Sequence, residues 1–256
     1  MPKVLVLILS TRDSRYANFI KSCKDTWVLQ AKEHLIPCIF YEGSADHDQL
    51  DGCDLRLAAD DALAGTGHKL IRALRYIEDS SIEYDYIFRT NLSSYIFINN
   101  FIGWINNIED GELYAGSVNE FNMNDCRHNK YLRKFFNFIY PRNKILFAEG
   151  AGFWISKGNI QKVLSDKALN FNLVDDVMVG ESLYRQNVFP TSIPRIDYIS
   201  DGSLTATRLS GGLEEMEDCY HVRIKSSDRA FDAAFFYKLH QHPNFAQFYM
   251  DCMYRA

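Results

Sequence analysis

No two of the six cysteines (Cys23, Cys38, Cys53, Cys126, Cys219, Cys252) stand in a CxxC pair. That spacing signals neither a zinc site nor a dense disulfide framework, and reduced thiols are expected. The apolar stretch at residues 4–10 is too short to span a bilayer, and no signal-peptide cleavage pattern follows it. An excess of basic residues is missing too: 28 Lys and Arg against 33 Asp and Glu give a net charge of −5 and a pI near 5.8. Such a balance argues against a protein that coats nucleic acid and leaves room only for a small polyanionic partner. With no internal repeat, low-complexity tract or composition shift, one domain over residues 1–256 is expected. A soluble, intracellular protein without a membrane span follows as the expectation. Aromatic residues are abundant, at 14%. Most are assigned to the core, and a few exposed ones suit stacking on sugar rings.

The hydrophobic pattern alternates between strand and helix. Residues 3–9 form a continuous apolar run that ends in Ser10-Thr11-Arg12-Asp13, as a buried strand does when it delivers its carboxyl end to a polar loop. Residues 14–31 read as one helix, 35–41 as a second strand with Pro37 as its weak point, and 54–58 as a short third strand. A helix over residues 66–77 precedes the stretch 83–97, an apolar strand interrupted by the polar cluster from Arg89 to Ser94. Further along, a helix near 101–105, a strand at 112–118, a mobile loop at 119–130 and strand-like segments on both sides of Gly150-Ala151-Gly152 are expected. Helices at 159–164 and 175–184, an edge strand or loop at 189–199, a flexible stretch at 201–212, a strand at 220–225 and a helix at 230–240 complete the chain. This is an α/β order. In an open α/β sheet, ligands bind outside the carboxyl ends of the strands, which makes the cluster from Arg89 to Ser94 the first candidate site.

Each candidate has a plainer alternative. His221, Arg223 and Lys225 share one strand face, spaced roughly 7 Å apart, and could hold a diphosphate or simply charge an edge strand. Lys69, close to a helix start, could point at the same anion. Asp175 and Asp176 stabilise a helix N-terminus by about 0.3–1 kcal/mol each. As adjacent carboxylates they can also supply a general base, because repulsion and burial raise one pKa. Asn91, Ser93 and Ser94 are ordinary turn formers. Glu149, set among apolar strand residues, needs a partner or a ligand.

Five segments in order carry a resemblance: Lys24-Asp-Thr-Trp27; Asp54 followed by Thr66-Gly-His-Lys69; Tyr86-Ile-Phe-Arg-Thr-Asn-Leu-Ser-Ser-Tyr-Ile-Phe97; Ala148-Glu-Gly-Ala-Gly-Phe-Trp-Ile-Ser156; and Val174-Asp-Asp-Val-Met-Val-Gly180. Together they resemble the Fringe and β-1,3-galactosyltransferase/N-acetylglucosaminyltransferase family of GT-A-fold glycosyltransferases, over roughly residues 3–188. The resemblance implies a single GT-A, Rossmann-like α/β domain whose central mixed, mostly parallel sheet is flanked by helices. It also implies inverting transfer from a nucleotide-diphosphate sugar, a UDP-linked one first, to a hydroxyl of a glycan or glycoconjugate acceptor. Asp176 is then the base and Asp175 orients it or holds the acceptor. Thr11, Arg15, Asp54, Lys69, Arg89, Asn91 and Ser93 surround the nucleotide, with His221, Arg223 and Lys225 on its diphosphate. Glu149, Gly150 and Gly152 line the acceptor side.

One departure stands out. Where the family carries Asp-x-Asp to hold a divalent metal, this chain reads Asn91-Leu92-Ser93, without an anionic oxygen. Hard cations want carboxylates, so Mn or Mg affinity is expected to be poor unless Glu149, Asp175 or His221 compensates, and no metal ligand is assigned. Metal-free catalysis with basic side chains on the departing phosphate is one outcome. A catalytically degenerate protein of the same fold that binds a nucleotide sugar or glycan is the second, and a nucleotide-binding or scaffolding protein the third. The absence of an anchor fits a cytoplasmic bacterial or viral glycan-building enzyme.

Overall fold

A computed structural model describes residues 2–109, 111–123, 144–199, 205–207, 213–224, 226 and 228–254. Its strands are β1 (Val4–Leu9), β2 (Cys38–Glu42), β3 (Gln49–Asp51), β4 (Asp54–Arg56), β5 (Tyr86–Asn91), β6 (Ser94–Ile96), β7 (Tyr114–Asn122), β8 (Lys144–Ser156), β9 (Thr191–Ser192), β10 (Ile196–Ile199), β11 (Thr205–Thr207) and β12 (His221–Ile224). The larger sheet runs β3-β4-β2-β1-β5-β8-β7-β9 and the smaller one β11-β10-β12-β6. Strands β4, β2, β1 and β5 are mutually parallel; β8 lies antiparallel to both β5 and β7, and β9 parallel to β7. The expected mixed α/β sheet flanked by helices is therefore present.

Strand β1 is apolar throughout because both of its faces are covered. Val4, Val6 and Ile8 pack into one core with Phe19, Trp27, Phe101 and Phe236, while Leu5 and Leu7 pack into a second with Leu70, Leu74, Ile160 and Val179. Each buried side chain of this size contributes about 1.5–3 kcal/mol relative to exposure. The first core is covered by α1 (Ala17–Asp25), α2 (Trp27–Glu33) and α4 (Ile98–Asn106), the second by α3 (Thr66–Asp79), α5 (Lys157–Ser165) and α6 (Asp175–Arg185). Later in the chain come α7 (Leu213–Asp218), α8 (Arg229–Leu239) and α9 (Phe245–Tyr254), and α8 adds Phe236 to the first core. Among the described residues no helix is long and apolar enough to cross a membrane.

After β1 the chain builds β2 and β4 on one side, and through α3 it returns to place β5 on the other. That reversal opens a crevice at the carboxyl ends of β1 and β5, where open α/β sheets bind ligands.

Several local expectations are corrected. The helix expected over 14–31 breaks at Thr26, whose backbone leaves the helical region at φ −114 and ψ −110 and whose hydroxyl donates back to the Ser22 carbonyl at 2.6 Å. The break lets Trp27 enter the core. Strand β2 begins after Pro37 because a proline has no N–H to give, although the Pro37 carbonyl accepts from Val6 N at 2.9 Å. The loop expected at 119–130 is strand as far as Asn122, since the 13-residue β8 offers ladder partners from Phe147 back to Lys144. Residues 124–130 of that loop lie outside the described residues. Of the stretch expected to be flexible at 201–212, only 205–207 is described, as β11 paired antiparallel with β10.

Candidate active site

At the crevice lies a cavity of about 480 Å³. The loop after β1 contributes Thr11, Asp13 and Arg15 to it, the turn after β5 contributes Asn91 and Ser93, and β12 contributes Arg223. Asn91 caps this turn by accepting from Ser93 N at 3.0 Å and from Ser93 Oγ at 2.6 Å. The turn is clamped from above by β12, because Ile224 N donates to the Ser93 carbonyl at 2.7 Å and Arg223 lies opposite Ser94.

The carboxylate that organises the floor is Asp61, which sequence reasoning did not single out. Its Oδ1 accepts from Lys69 Nζ at 2.8 Å and from Gly43 N at 3.0 Å, and its Oδ2 from Thr11 Oγ1 at 2.7 Å and Arg12 N at 2.8 Å. Burial pushes this carboxyl up, but those four donors more than offset it and hold it below the ordinary range. The available signal was the Asp60-Asp61 pair between a strand and a helix start, which alone marks only a turn.

A second cavity of about 260 Å³ adjoins the first and shares Leu9, Leu63, Thr66, Asn91 and Arg223 with it. Its wall carries Glu149, Gly150, Asp175 and Asp176. Helix α6 starts here with both acids in its first turn, where the helix dipole favours negative charge. Asp176 Oδ2 accepts from Gly150 N at 2.6 Å, and its Oδ1 from Val177 N at 2.8 Å. Burial and then the neighbouring Asp175 raise its pKa above the ordinary aspartate value, against the pull of these bonds and of Arg89. A carboxylate tuned upward in this way suits proton abstraction. Gly150 is required here, because a Cβ would stand 2.9 Å from Asp176 Oδ2 and 3.0 Å from Arg89 Nη1.

Other candidates have different roles from those expected. Arg89 does not line the larger cavity but the smaller one. It is buried and donates to the Tyr41 hydroxyl at 3.1 Å, to the Gly150 carbonyl and to Asp175. Burial works against its charge, but Asp175, Tyr41 and Asp176 together outweigh that and raise its pKa. It thus ties β5 to β8 and to the start of α6, and Asp175 is its buried counter-ion. Asp54 lines neither cavity, because Lys24 binds both its carboxylate oxygens at 2.7 Å. Lys69 does line the larger cavity, yet its ammonium is spent on Asp61. His221 is buried, so it adds no charge: burial, then Arg195 and Arg223, push its pKa well below the ordinary imidazole value. Since Ser94 Oγ donates to the Ala151 carbonyl at 2.7 Å, that oxygen is left to accept from His221 Nε2 at 2.9 Å. Gly152 lines neither of these two cavities; it makes room for this ring, since a Cβ there would stand 2.3 Å from His221 Cε1. Lys225 lies outside the described residues.

Glu149 lines the smaller cavity, bonded to Ser117 Oγ and Asn119 Nδ2 at 3.0 Å and paired with Arg195. Burial raises its pKa, but Arg195 and these bonds bring it below the usual glutamate value. Arg195 and Arg229 were not anticipated. Arg195 is buried behind the site and Arg229 lines the larger cavity, where it pairs with Asp232 at 2.7 Å and lies over the Tyr16 ring.

The donor groups do not fit a resident Mn or Mg ion. The Asn91 carbonyl is committed to Ser93, Leu92 is buried, and the cavity's two carboxylates, Asp13 and Asp61, are held by Arg15 and Lys69. Among the described residues no three His, Cys, Asp or Glu side chains gather as metal ligands. Hard divalent ions need several anionic oxygens.

No family model and no curated protein matches the chain. Among solved structures, the chain is similar to the crystal structure of a glycosyltransferase involved in the glycosylation of the major capsid of PBCV-1, with a TM-score of 0.52 and 10% identity over 92% of this chain and 99% of that one. The chain therefore shares the fold of that protein.

Proposed function

We propose that this protein is an inverting glycosyltransferase that moves a sugar from a nucleotide-diphosphate donor to a hydroxyl of a glycan or glycoconjugate. The observation that carries the reading is the joining of the two cavities: one, lined by Arg15, Lys69, Arg223 and Arg229, meets at Asn91 and Arg223 the other, which holds Asp176. The donor's diphosphate lies in the first and the acceptor enters the second, beside Glu149 and Gly150. Asp176 takes the proton of the acceptor hydroxyl as its oxygen forms a bond to the anomeric carbon. The bond from that carbon to the phosphate oxygen breaks, and its electron pair leaves with the nucleoside diphosphate. Attack from the face opposite the leaving group inverts the anomeric centre. Asp175 and Arg89 hold Asp176 in place through the start of α6 and the Gly150 carbonyl.

A thermal-stabilisation screen of nucleotide sugars tests the reading and fixes the donor at once. A donor at about 100 times its Kd contributes about 2.7 kcal/mol, a readily measured shift. If no nucleotide sugar and no nucleoside diphosphate shifts the melting temperature, the proposal fails.

A further inference from the structure

The diphosphate that leaves needs its charge neutralised, and the turn from Asn91 to Ser93 offers no anionic oxygen. What stands over that turn is Arg223. Strand β12 places it opposite Ser94 of β6 and Asp197 of β10, and it is the charged side chain common to both cavities. Its carboxylate neighbour Asp197 is only at 4.0 Å, and its Nε is buried without a hydrogen-bond partner among the described residues. Asp197 is not available to approach more closely, because Arg195 holds it through Nε at 2.5 Å and Nη2 at 2.8 Å, and Arg195 also pairs with Glu149. Arg195 thereby satisfies both carboxylates of the cluster and leaves Arg223 as its under-compensated cation. Among the described residues, the other basic groups lining the larger cavity are engaged: Lys69 by Asp61, Arg15 by Asp13 and Arg229 by Asp232.

We propose that Arg223 is the catalytic cation that grips the leaving diphosphate in place of a divalent metal, held ready by the Arg195–Asp197–Glu149 cluster behind it. The inference rests on the donor reading above and deepens it. A guanidinium is permanently charged and presents paired N–H groups to phosphate oxygens, so it can take up the electron pair's charge on the departing phosphate oxygen without proton transfer. The same cluster reaches Glu149 on the acceptor side, so donor grip and acceptor wall share one rigid support.

Calorimetric titration of the chelator-treated protein with UDP, GDP, ADP and inorganic pyrophosphate, with and without manganese, tests this. One nucleoside diphosphate is expected to bind in chelator, with less than about a twofold change on adding manganese. Arg223→Gln should weaken that diphosphate by at least about tenfold, as loss of charge-assisted hydrogen bonds does, while the matching nucleoside, which has no diphosphate, weakens much less. Arg223→Lys should fall between, keeping the charge but not the paired geometry. If Arg223→Gln does not fold, the lysine variant and the manganese comparison on the unaltered protein still decide. Binding that appears only with manganese, or an Arg223→Lys variant that binds as tightly as the unaltered protein, overturns the assignment but leaves the donor reading intact. Absence of all nucleotide binding overturns both.

Discussion

Asp61 and Lys69 are a pair with unequal dependence on each other, and the inequality can be measured. Among the described residues Lys69, with its side chain 2% exposed, has only Asp61 for an ion partner, plus the Asp61 carbonyl at 3.3 Å. Asp61, by contrast, retains Thr11 Oγ1 and two backbone N–H groups if the lysine is removed. Asp61→Asn therefore leaves a buried ammonium unpaired, which costs about 3–5 kcal/mol. The lower end applies because the Asp61 side chain is 14% exposed and water can relax around the pair. About 3 kcal/mol in a chain of this size lowers Tm by about 6–12 °C. Lys69→Met leaves the carboxylate with three donors and removes the buried charge, so about 1 kcal/mol is expected. Urea unfolding followed by tryptophan fluorescence, with m-values compared, gives both numbers. The pH dependence follows the same pair. Because the folded carboxyl titrates below its unfolded value of about 4, its contribution is present above that pH and is lost as the pH falls through the folded pKa. A Lys69→Met variant as destabilised as Asp61→Asn would refute the reasoning.

The raised pKa of Asp176 owes part of its shift to Asp175. Activity should fall as the pH drops through that value, and Asp175→Asn should move this acid limb to lower pH, because the repulsion is removed and Arg89 loses its competing carboxylate. An unmoved limb in the pH–rate profile would mean that another group is the base. Gly152→Ala should cost about 1–3 kcal/mol or abolish folding, since the new methyl meets His221 at 2.3 Å and Phe88 at 2.8 Å, both fully packed. Gly103→Ala, in α4 with nothing within 4 Å, should instead stabilise by about 0.5–1 kcal/mol, and thermal melts separate the two.

Local pattern was enough to find β1, β5 and the acidic start of α6, because burial on both faces and the helix dipole leave marks on neighbouring residues. It also put His221 and Arg223 on one strand face. It could not tell that the His221 end of that face is dry, because the cover comes from Gly152 and Phe88 in distant strands. Arg89 misled for the same reason: its partner Asp175 lies 86 residues away, and an arginine after an apolar strand looks alike whether it meets a nucleotide or a carboxylate. Asp61 escaped notice since its four donors come from three separate segments. Element type is encoded locally, whereas which charge is already neutralised depends on tertiary pairing.

Asp176→Asn preserves shape while removing the proton acceptor, so transfer and donor binding can be measured on the same variant. The account expects nucleoside-diphosphate affinity within about twofold of the unaltered protein and sugar transfer reduced by at least about a hundredfold, the scale of a lost general base. Normal turnover by Asp176→Asn would contradict it.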